Sequence, residues 1–121
     1  MAEWKSISLR GLYDKILTIE NDLRGSELLS FWQLIKIDPE KWTEKEFGNE
    51  GGGFWVVAIC GKKIIWYNDI EDGFNISDYK IYGQIEGYYC NQEELSWAVT
   101  RLFDSVKFGG KIFGQCSLPI L

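Results

Sequence analysis

Apolar residues recur along this chain with two different periods, and the changes of period lay out its elements. From Ser8 to Leu23, residues Leu9, Leu12, Tyr13, Ile16, Ile19 and Leu23 keep the three-four spacing of a helix with one buried stripe. Asp14, Lys15, Asn21 and Asp22 fall on the other side. Ser8 suits the cap, and Gly25 is a natural stop. Leu29 to Ile37 alternates instead. Phe31, Gln33, Ile35 and Ile37 share one face of an expected strand; Trp32, Leu34 and Lys36 share the other. Asp38-Pro39 then predicts a cap and first turn for a short helix, Pro39 to Glu46, carrying Trp42. Four glycines between Gly48 and Gly53 predict a flexible loop.

Phe54 to Cys60 and Ile64 to Asp69 are rich in Val, Ile and aromatics, and Gly61-Lys62-Lys63 joins them as a hairpin turn. Both are apolar on both faces, so the hairpin belongs inside a sheet. Ile70 to Asp78 reads as an acidic, turn-rich connection, and Tyr79 to Tyr89 as the returning strand. Asn91 and Glu94 make a capping-box-like pair for a last helix, whose stripe is Leu95, Ala98, Val99, Leu102, Phe103 and Val106. Gly109-Gly110 ends it, and Lys111 to Leu118 suits an edge strand halted by Pro119. These elements predict one α+β domain over residues 1–121. Its antiparallel sheet has four or five strands around a central meander, with the N-terminal and C-terminal helices packed on one face.

Composition changes the picture in two places. There is no histidine in the 121 residues, which removes every Ser-His or Cys-His nucleophile pair and every His-ligated metal. Three separated cysteines, Cys60, Cys90 and Cys116, argue for reduced thiols and a cytoplasmic protein rather than a disulfide framework. Cys90, just before the last helix, has no basic partner to activate it. No apolar run approaches a membrane span, and the segment after Met1 lacks the pattern of a secretory signal. Net charge −5 and scattered bases argue against nucleic acid.

Charge is also uneven. Between Ile64 and Thr100 lie seven acids and a single base, Lys80, interleaved with aromatics. Three of those acids, Asp69, Glu71 and Asp72, occupy one short stretch. A calcium loop fails there on register: with Gly73 in the sixth place, Ile70 is third and Tyr79 twelfth. On an extended chain Asp69 and Glu71 would share a face about 6.5–7 Å apart, a spacing open to a general acid and base. The expectation favoured by the aromatics is a docking surface. Asp69, Glu71 and Asp72 would steer a basic protein partner, with Trp66, Tyr67, Phe74 and Trp97 as contact anchors. Trp97 sits about 170° round its helix from the apolar stripe, where Arg101 one turn on can stack over it as a local cover; the alternative is an exposed anchor in an interface, a homodimer among them. The glycine-rich loop lacks the Gly-Lys-Ser/Thr ending of a phosphate cradle. No catalytic, cofactor or metal residues are assigned. The rival expectation is a small carboxylate enzyme or divalent-cation binder using Asp69, Glu71 and Asp72.

No motif here identifies a family. In size, acidity and aromatic content the chain is similar to the small cytosolic immunity proteins that neutralise bacterial toxins. That similarity implies a non-enzymatic protein whose acidic, aromatic face masks a basic site on its partner.

Overall fold

The computed structural model describes residues 7–45, 52–70, 72–87 and 93–108. In chain order the elements are α1 (Leu9–Asp22), α2 (Glu27–Ile35), β1 (Lys36–Trp42), β2 (Phe54–Cys60), β3 (Lys63–Asn68), β4 (Gly73–Asp78) and α3 (Leu95–Phe108). The four strands form one antiparallel meander in the order β1-β2-β3-β4. The α+β architecture is as expected. The Asn91 cap, the Gly109-Gly110 stop and the Lys111–Leu118 strand lie outside the described residues. Among the described residues no helix is long and apolar enough to cross a membrane.

α1 starts where the sequence places it. The Ser8 hydroxyl accepts a hydrogen bond from the Gly11 N–H at 3.0 Å, and Leu12, Ile16 and Ile19 are buried. The next two elements correct the sequence reading. The segment expected as a strand from Leu29 to Ile37 is mostly helix α2, and the expected helix from Pro39 to Glu46 begins within strand β1, which runs to Trp42, and is not helical over its described part, 39–45. Leu28, Trp32 and Ile35 carry a helical period that the alternation of Phe31 to Ile37 obscured. Trp32 and Ile35 are buried, while Leu34 is 83 % exposed, though a strand would have given Trp32 and Leu34 one face. Pro39 sits in an edge strand, whose register shifts between Lys36 and Glu40. A residue without an N–H is tolerated at such an edge.

A second correction follows β3. The acidic connection supplies β4, and Tyr79 to Tyr89 is not a strand over its described part, 79–87. Asp72 turns the chain with φ of 58°, a left-handed conformation that aspartate tolerates better than most residues. β4 then runs in full register with β3, from Asn68↔Gly73 to Lys63↔Asp78. Its polar positions look solvent-facing in the sequence but are buried and bonded. The Asn68 amide donates to Asn75 Oδ1 at 3.0 Å, and Trp66 Nε1–H donates to Ser77 Oγ at 2.9 Å. The Ser77 hydroxyl donates in turn to the Gly87 carbonyl.

Apolar side chains cover both faces of the sheet. All three helices lie on one: Leu12, Ile16, Trp32, Val99 and Leu102 meet Val57, Ile65, Tyr67, Phe74 and Ile76. Trp42, Phe54, Val56, Ile64 and Trp66 line the other, closed by Ile85 and Tyr79 from the segment after β4. Each large ring buried this way removes about 150–250 Å² from water. A parallel bridge, Thr43↔Gln84, ties that segment to the end of β1. At the opposite edge Phe74 and Glu93 exchange backbone hydrogen bonds of 2.8 and 3.0 Å, which fixes where α3 begins.

Candidate functional site

That last pairing builds a groove. α1 contributes Lys15, Thr18, Ile19 and Asp22, which recur at three- and four-residue steps along one side of the helix. The β3–β4 turn contributes Tyr67, Asp72, Gly73 and Phe74, and the start of α3 contributes Glu93 to Ser96. The groove, open to solvent along one side, has a volume of about 640 Å³, within the range of natural binding sites. Ile19, Phe74 and Leu95 give it an apolar floor, where Tyr67 and Phe74 meet edge-on with ring centroids 5.1 Å apart. Among the described residues its charged liners are four acids, Asp22, Asp72, Glu93 and Glu94, against one base, Lys15.

These charges act on one another. The Tyr67 hydroxyl donates to Asp72 Oδ1. Burial first, then that bond and the charges of Asp72 and Asp69, push the phenol far above its ordinary range, so Tyr67 stays a neutral donor. The Lys15 ammonium lies 3.8 Å from Asp72 Oδ1 and 5.6 Å from the centroid of the Tyr67 ring. It is thus shared between a carboxylate and a π face. Glu93 accepts from the Arg101 guanidinium. Burial nevertheless holds its carboxyl above the usual value, with the Arg101 charge and bond opposing. Asp22 and Glu94 are exposed.

The residues singled out in the sequence divide into three groups. Trp66 is fully buried on the far side of the sheet, and Tyr67 and Phe74 are 4 % exposed. As contact anchors these three are corrected: they are buried side chains, Trp66 and Tyr67 on the inner strand β3, expected as a strand, and Phe74 on β4, where a turn-rich connection was expected. Asp69 is a brace. Its Oδ2 accepts the Ile7 N–H at 2.5 Å, pinning the chain just before the Ser8 cap. Burial pushes this carboxyl up, while backbone bonds from Ile7 and Asp69 itself and the Lys41 charge pull the other way. Among the described residues its buried Oδ1 has no hydrogen-bond partner. Asp72 and Trp97 remain at the surface, Trp97 61 % exposed in the same first turn of α3 as Leu95 and Ser96. Glu71 lies outside the described residues, as do Cys90 and Cys116.

The mid-chain acids therefore do not gather on one continuous face. Asp78 pairs with Lys63 at the far end of β4, 2.5 Å away. Asp72, Glu93 and Glu94 stay together and gain Asp22 from α1. Sequence reasoning missed Asp22 and Lys15, which it placed on the polar side of α1; only the packing of α1 beside the β3–β4 turn brings them to the acids. Among the described residues no group of three Cys, Asp or Glu is arranged to hold a metal ion. Compared with protein-family models, curated proteins and solved structures, the chain has no match.

Proposed function

We propose that this chain is a non-enzymatic interaction domain whose acidic groove receives a basic segment of a protein partner, in its most concrete form as an inhibitor or immunity-type protein. The supporting observation is the position of Lys15. The chain's own ammonium rests between Asp72 and the Tyr67 ring, a model of how a partner's lysine or arginine would be received. Asp22 and Glu94, exposed along the groove, are the carboxylates offered to further cations. Trp97 stands beside it as a large exposed ring of the kind that dominates protein interfaces. Three cysteines, odd in number, suit a reducing setting, so the proposed compartment is the cytoplasm.

The carboxylate-enzyme or divalent-cation reading has less support. Asp69 and Asp72 turn to separate partners, the Ile7 N–H and the Tyr67 hydroxyl, rather than to a common centre.

Calorimetric titration with a Lys/Arg-rich peptide tests the proposal. Asp72→Asn with Glu94→Gln should weaken binding by about tenfold or more, the usual scale for charge pairs at an interface. Trp97→Ala should weaken it as well. Absence of binding at low salt, or binding indifferent to the Asp72 and Glu94 changes, rejects the groove as the docking site.

A further inference from the structure

Among the described residues, α1 leaves a second apolar row uncovered. Leu12, Ile16 and Ile19 point into the core. Leu9, Tyr13 and Leu17 follow one another at four-residue steps and are 42, 39 and 60 % exposed. At about 100° per residue this row lies roughly 90° round from the buried stripe, on the side away from Lys15 and the acidic groove. It borders a smaller cavity of about 260 Å³, lined by Tyr13, Leu17 and Trp32 and by the charged Glu20, Lys36 and Asp38. That is below the range of small-molecule sites and suits an inserted side chain. Along the outer margin of the row stand Arg10 and Asp14, opposite charges one turn apart and both exposed.

We infer that this face of α1 joins two copies of the chain, α1 against α1, antiparallel about a two-fold axis at Tyr13. The row is complementary to itself under that operation and under few others. With Tyr13 on the axis, Leu9 meets the partner's Leu17, and Leu17 meets the partner's Leu9. At 1.5 Å rise per residue, Arg10 comes within about 3 Å along the helix of Asp14 of the partner subunit. The symmetry makes that two flanking ion pairs. The partner's Leu9 also arrives beside Leu17 at the mouth of the smaller cavity. A parallel pairing about a two-fold along the helices would put Arg10 and Asp14 of the two copies on opposite outer sides, and neither ion pair would form. α1 has 14 residues, about 21 Å of helix. The seam is therefore short, and association is weak and concentration-dependent.

Sedimentation of the full chain from about 5 to about 500 µM covers the range expected of a small interface. The mean mass should climb from 14.0 kDa towards twice that value. Arg10→Asp and Asp14→Arg should each raise the dimer dissociation constant by about tenfold or more, and the double exchange should restore it, a signature that loss of folding cannot imitate. Leu17→Asp should abolish the dimer with the melting temperature kept. A constant mass of 14.0 kDa, a dimer untouched by Leu17→Asp, or singles not rescued by the double exchange overturns the inference. Because the row and the acidic groove lie on different sides of α1, none of these outcomes bears on capture of a basic peptide.

Discussion

Glu20 shows how one side chain can serve two elements. Its Oε2 accepts from Trp32 Nε1 at 2.8 Å and from Lys36 Nζ at 2.9 Å, linking α1 to both ends of the α2–β1 junction. Burial by itself would raise this carboxyl; the bonds from Lys36 and Trp32 and the Lys36 charge outweigh it and hold the group below 4.5. A lowered folded-state value means that the ionised form stabilises the fold. The contribution is complete above about 4.5, the unfolded value, and fades as pH falls through the folded one. Glu20→Gln should cost about 1 kcal/mol near pH 7, as for one charge-assisted hydrogen bond in a half-buried place. Urea unfolding of both proteins should show the gap closing below pH 4.5; a gap independent of pH would mean that packing, not charge, is what Glu20 supplies. Residues of this kind are visible in a sequence only as one more acid on a polar helix face.

Among the elements, α2 and β1 carry the clearest lesson. Phe31, Trp32, Leu34, Ile35 and Ile37 satisfy an alternating pattern and a helical one almost equally over so short a run. What separates them is the environment. Trp32 is fully buried and Leu34 is open to solvent, so Trp32→Ala should cost about 3–5 kcal/mol and Leu34→Asp under about 0.5 kcal/mol. Chemical denaturation of the two variants measures the contrast; a large loss from Leu34→Asp would restore the strand. The β1–β2 link has its own fixed point. Gly53 holds φ of +105°, and a Cβ there would lie 2.5 Å from the Trp42 carbonyl oxygen. Gly53→Ala should therefore destabilise by about 1–3 kcal/mol, read as a fall in melting temperature. Of the expected loop from Gly48 to Gly53, residues 48–51 lie outside the described residues; which glycine the backbone needs was not legible in the sequence.

For the whole molecule, the decisive arrangement is three helices on one side of a meander and an irregular segment closing the other. It leaves the groove beside α1 as the place where acids from three separate elements meet. Capture of a basic peptide there should weaken steeply between about 0.05 and 0.5 M salt, because exposed charges are screened within a few ångströms at the upper end. It should also weaken as pH falls and the Glu93 carboxylate, which burial holds above the usual value, becomes protonated. Calorimetry across salt and pH reads both trends, and affinity that rises in salt would point to an apolar contact instead.

Local chemistry in the sequence determined α1 with its Ser8 cap, the apolar hairpin of β2 and β3, the stripe of α3 from Leu95 to Leu102 though not to Val106, which is exposed, and the α+β class, because periodicity and turn residues act over a few positions. It also determined which chemistries are missing, since a chain without histidine builds no histidine site. Tertiary structure decided the rest. Whether Leu29 to Ile37 coils or extends, whether Asn75 and Ser77 face water, and whether Trp66 anchors a partner or fills a core all depend on which surfaces come to cover them. The pairing of β4 with Glu93, 19 positions further along the chain, creates the groove, and no window of local sequence contains both of its sides.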